Sequence, residues 1–104
     1  MNRNQGDQIG DRVMWENDKF RVWDQVIAPG ETVGPHVHDN DYFIVTIESA
    51  EIDTEVLSPP SKHSEYEVIH ENVIWVRSNG EEHTATNVDK AGKPWRNLII
   101  EVKP

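Results

Sequence analysis

No cysteine occurs in the 104 residues. That removes disulfides, thiolate metal ligands and cysteine nucleophiles together, and it suits a reducing compartment. Long apolar runs are missing too, and nothing approaches the roughly 18 residues that a membrane-spanning helix needs. Residues 1–11 are polar and acidic, with no apolar stretch behind a basic start. They read as lacking a secretory signal, so the expected compartment is the cytoplasm. Positive charge is scarce, with 10 Lys and Arg against 19 Asp and Glu for a net −9. A surface this acidic repels phosphate backbones and anionic lipid, so neither nucleic acid nor membrane is an expected partner. Its plain meaning is solubility.

Helical periodicity is absent as well: no window sustains apolar residues three and four apart over ten residues. Nor is there a repeat, a low-complexity tract or a linker. The chain therefore reads as one domain, 12–104, preceded by a flexible arm, 1–11, loose or draped over a partner. What is present is a series of short segments rich in Val, Ile, Thr, Trp and Tyr, interrupted by turn residues. The expected strands are 13–16, 20–27, 36–38 running on through 42–48, 51–57 pairing back, 66–69, 73–77, 83–88 and 95–102. Turns are expected at Asn17-Asp18 and Pro29-Gly30, a ladder stop at Pro59-Pro60, and a hairpin at 89–92. Many short strands at near-regular spacing predict an all-β sandwich, jelly roll or barrel.

Chemistry concentrates in three of the five histidines. His36 and His38 stand two apart on an expected strand, so their rings share a face. A His-x-His pair alone is weak evidence for metal. Further along, Gly80-Glu81-Glu82-His83 precedes Asn87 by four residues, and in an extended strand His83 and Asn87 also share a face. A third imidazole and an amide then look into the same interior. His63 and His70 lie in polar loop or turn contexts and read as solvated.

In these residues the sequence resembles the cupin family. The first cupin motif sets a glycine ahead of a His-x-His pair, then a glutamate and a closing glycine; Gly30, His36 and His38 match it. The second runs from a glycine through Pro-x-Gly to a histidine and an asparagine; Gly80, His83 and Asn87 match that. The resemblance extends from about Phe20 to Val102 and implies a single-domain jelly-roll barrel of short antiparallel strands. It departs from the family at Tyr42 or Phe43, where the glutamate would fall, and at Ser49, Asn72 and Ser78. The resemblance implies a divalent metal (Fe²⁺, Mn²⁺, Ni²⁺ or Zn²⁺) on His36, His38 and His83, and often a homodimer. Three-histidine cupin sites are similar to those of iron dioxygenases that cleave diketones or oxidise thiols. Small stand-alone cupins linked to β-alanine breakdown also look like this chain around 29–38.

Several positions around this site remain open. Asp39 and Asp41 flank the histidine pair as alternative oxygen ligands, but strand parity turns Tyr42 inward instead. Tyr42 is thus the candidate catalytic residue, its hydroxyl set to bond substrate or a metal-bound water; the alternative is packing in the wall. Trp75, Trp95 and Asn87 are the other candidate pocket residues. Core packing accounts for most of the four tryptophans. Arg77 and Arg96 either meet a carboxylate substrate or form surface ion pairs. The leading expectation is a metal-dependent enzyme of dioxygenase or lyase type acting on a small chelating molecule. A non-catalytic metal or ligand binder and an accessory protein of a metabolic complex are the alternatives.

Overall fold

A computed structural model of the chain describes residues 2–104, which form nine strands and one three-residue 3₁₀ turn. The strands are β1 (Arg12–Glu16), β2 (Phe20–Ile27), β3 (Thr32–Val37), β4 (Tyr42–Glu48), β5 (Ile52–Val56), β6 (Glu65–His70), β7 (Val73–Arg77), β8 (Glu82–Asn87) and β9 (Trp95–Val102). They make two antiparallel sheets, one ordered β1-β2-β9-β4-β7-β6 and the other β3-β8-β5. Among the described residues no helix is long and apolar enough to cross a membrane.

Alternation along each strand sets the two sheets face to face. On β9, Asn97, Ile99 and Glu101 are buried while the residues between them are less so. On β8, His83, Ala85 and Asn87 do the same. Trp23, Tyr42, Val76 and Ile99 pack together from the large sheet, while Ile27, Val33 and Ala85 pack at the other end. Pro29-Gly30 makes the expected turn, with Gly30 at φ +82° and Glu31 N–H donating to the Ala28 carbonyl.

The expected all-β class of short antiparallel strands is met; the hydrogen-bonded ladder does not close on itself, so the two sheets pack as an open sandwich rather than a closed barrel. Two connections also differ from expectation. β5 does not pair back on β4, whose two edges are held by β7 and β9; it crosses to β8 in the small sheet. The turn at 89–92 likewise joins strands of different sheets rather than a hairpin. Strand signals show where a chain is extended, but not which edge is already taken.

Residues 2–11, for which the sequence predicts a loose arm, are docked. Arg3 and Gly6 bridge in parallel to Val33 and His36 along the free edge of β3. Ile9, 2% exposed, joins Trp23 in the core, and Asp11 accepts from Val26 N–H of β2. The buried Ile9 and main-chain bonds to β3 together pin this polar stretch, and the segment seals the sandwich between its two sheets on that side.

Candidate metal centre and cavity

His36 and His83 face each other directly across the β3–β8 pair, which brings two side chains 47 positions apart in the chain into cross-strand contact. The local backbone is built for this. β3 carries an irregularity between Val33 and His36, and Gly34 there adopts φ +93°. A Cβ on Gly34 would lie 2.6 Å from the His83 carbonyl oxygen, so only glycine allows β3 to approach β8 this closely. His38 follows just beyond β3, its N–H donating to the Glu81 carbonyl at 3.2 Å. The three rings lie 4.8 to 5.0 Å apart between centroids. One nitrogen from each falls within 4.8 Å of the others, and all three residues are buried.

The outer nitrogens determine what the inner ones present. His36 Nδ1–H donates to the Asn4 carbonyl at 3.0 Å, and His83 Nδ1–H donates to Glu81 Oε2 at 2.6 Å. A carbonyl cannot donate, and neither can an ionised carboxylate, so both protons sit on Nδ1. Burial alone would push the Glu81 carboxyl up, but the bonds from His83 and from Ser64 N–H outweigh it and hold the carboxyl below its usual range. In the neutral rings the Nε2 atoms of His36 and His83 therefore both carry lone pairs, and they face each other at 3.0 Å.

Two opposed lone pairs at this distance need a proton or a cation between them. On His36 and on His38 a proton is disfavoured. Burial, with the nearby His83, lowers the His36 pKa to about 4, and burial pushes His38 well below the ordinary histidine value. Two metal–nitrogen bonds of about 2.1 Å at right-angled to tetrahedral geometry would set the nitrogens roughly 3 Å apart. His38 adds a buried Nδ1 without a hydrogen-bond partner, and its ring stacks on Tyr42 at 4.1 Å. The donor set thus fits a divalent ion on chemistry and spacing.

The histidines form one end of a cavity of about 240 Å³. Ile44, Ile74 and Ile99 of the large sheet line its flank, and Trp95 and Asn97 line it further along β9. Thr54 and Tyr66, both exposed and on the edge strands β5 and β6, also line it, so the cavity opens to solvent between those strands.

The fold is similar to that of a cupin domain from Bordetella pertussis Tohama I. The likeness has a TM-score of 0.65 at 25% identity and covers 89% of this chain and 91% of that one. The chain has the cupin fold. Neither a protein-family model nor a curated protein matches the sequence.

The remaining sequence-predicted residues divide. Tyr42 is 2% exposed and lines the cavity, and Trp95 lines it too, its Nε1–H donating to Thr46 Oγ1 at 3.4 Å. Trp75 does not: inward parity on β7 falls to Val76, so Trp75 packs on Phe43 at the outer face. Asn87 is buried, but its amide is spent on the Ile27 and Lys93 carbonyls and on Asp89 N–H, at the start of the crossing to β9. Of the four tryptophans only Trp23 belongs to the buried core; Trp15 is 54% exposed. Asp39 is exposed, and Asp41 Oδ1 accepts from Ser78 N–H, so neither carboxylate reaches the histidines. Arg77 and Arg96 form exposed ion pairs with Glu65 and Glu48.

Sequence reasoning missed four contributors. Asn4 and Glu81 orient the histidines, while Gln25 and Asn97 supply polar groups to the cavity. Glu81 was within reach, since it stands two before His83 and shares its parity; so was Asn97, two after Trp95.

Proposed function

We propose that the protein is a metal-dependent cupin acting on a small chelating metabolite, with dioxygenase-type or related lyase activity at His36, His38 and His83. The observation that carries this reading is the pair of Nε2 lone pairs held face to face by proton-fixing partners on the far side of each ring. That arrangement is costly without an ion and favourable with one.

The chain's residues divide the work. His36, His38 and His83 hold the ion as neutral ligands, and Asn4 and Glu81 keep two of the rings in the correct tautomer. A divalent ion held only by neutral ligands keeps its full charge, and when bound it supplies a Lewis acid with open positions for a chelating substrate. Burial pushes the Tyr42 pKa well above that of free tyrosine, so its hydroxyl stays protonated as a hydrogen-bond donor toward substrate oxygen. Ile44, Ile74 and Ile99 give the cavity an apolar flank and set the width of what fits.

Oxygen consumption by iron-loaded, tag-free protein with a panel of β-diketones, thiols and keto acids tests this. The expected result is uptake that depends on one substrate class and is lost in His83→Ala. Full metal content with neither oxygen uptake nor substrate loss across the panel would leave a binding module in place of an enzyme.

A further inference from the structure

Asn97 is 1% exposed, and both its amide nitrogen and its amide oxygen lack a hydrogen-bond partner. The other buried asparagines are spoken for: Asn4 donates to Asp11 and Gln25, and Asn87 uses both ends of its amide. Leaving an amide unpaired in a low-dielectric interior is expensive, so the position calls for an explanation. Asn97 lines the same cavity as the three histidines. It sits on the rung Gln25–Asn97–Thr46, while Tyr42, the partner of His38, sits on the rung with Glu101. The two rungs lie four positions apart along β4, about 13 Å of strand.

The walls restrict what can reach across. No Asp, Glu, Lys or Arg lines the cavity. A charged group at the Asn97 end would have no counter-ion there, whereas charge at the histidine end would meet the ion. For size, a 150 Å³ apolar cavity accommodates benzene, so about 240 Å³ suits a molecule of roughly ten heavy atoms.

We propose that Asn97 is the second anchor for the ligand: the cavity takes a small molecule that chelates at the three-histidine end and presents, at its other end, a neutral group with both a hydrogen-bond donor and an acceptor, such as a primary carboxamide. The chelating end rests on the metal reading above; the far end rests on Asn97 alone. An amide facing an amide makes two reciprocal N–H···O bonds, satisfying both orphaned atoms at once. A site built on buried polar groups rejects analogues that leave those groups unpaired far more strongly than an apolar site rejects an altered alkyl chain. Asn97 is on this account a specificity residue.

Titration calorimetry on zinc-loaded, tag-free protein tests it with two hydroxamic acids of equal size. One, succinamohydroxamic acid, ends in a carboxamide; the other, 4-methylpentanohydroxamic acid, ends in an isopropyl group. The wild type is expected to prefer the carboxamide by about tenfold or more, and Asn97→Leu to lose or reverse that preference. Ligand-free Asn97→Leu should melt at or above the wild type, because it removes a dissatisfied amide, whereas a structural asparagine would lower the melting temperature on replacement. Equal binding of both tails to wild type, abolished by a chelator, overturns the Asn97 assignment and leaves the metal reading standing. Tail-selective binding that is indifferent to zinc removal overturns the metal reading and keeps Asn97. No binding of either overturns the proposal. The wild-type comparison decides even if Asn97→Leu does not fold.

Discussion

The two ends of the cavity handle buried polarity in opposite ways. At the histidine end the outward-facing ring nitrogens of His36 and His83 are paired, and the pairing aims two lone pairs inward. At the Asn97 end the amide has no partner, and nothing behind it fixes which way it points. The first end is already organised; on the proposal above, the second is completed by the ligand. The small sheet with its docked N-terminal segment supplies the organised end, and the large sheet supplies the receptive one. A protein can thus keep affinity and selectivity on separate supports, so that changing one sheet's inner face retunes the ligand without disturbing the ion site.

Breaking the organised end should have the largest effects. Gly34→Ala forces a Cβ against the His83 carbonyl at 2.6 Å from a backbone with φ +93°. A loss of about 3 kcal/mol or more is expected from overpacking and strain together, read as a fall in melting temperature of roughly 10 °C or more. A melting temperature within error of wild type would mean that the β3–β8 approach is not tight. Glu81→Gln should leave the fold intact but free the His83 proton from its ionised partner, weakening metal binding by about 10- to 100-fold. Competition with a metallochromic dye measures this, and unchanged affinity would remove Glu81 from the orienting role. The smallest effect belongs to Trp75→Ala. It should leave metal affinity and hydroxamate affinity unchanged, because the indole lies on the outer face against Phe43; a change in either would put Trp75 back in the cavity wall.

How far the sequence carried the reading follows from what local pattern can encode. The parity of His36 and His38, the inward turn of Tyr42 and the strand at 95–102 are period-two facts, and they appear in the structure. The convergence of His83 on them was suggested by motif spacing, yet the contact depends on the pairing of β3 with β8 and on a glycine irregularity that no spacing specifies. Asn87 matched a motif position, but the crossing between sheets absorbed its amide. Trp75 failed because a one-residue choice of parity sends a side chain to the opposite face. The docking of residues 2–11 rests on Ile9 and on main-chain bonds to β3, and composition is blind to both.

The central claim is that three buried imidazoles share one ion. Elemental analysis by mass spectrometry on tag-free protein, paired with thermal melting during titration with Zn²⁺ or Fe²⁺, tests it directly. Close to one metal per chain is expected. Stabilisation of about 2.7 kcal/mol is expected at a hundredfold excess over the dissociation constant, absent in both His83→Ala and His83→Gln. A metal-free protein whose melting is unmoved by either ion, and equally unmoved in the two variants, would contradict it.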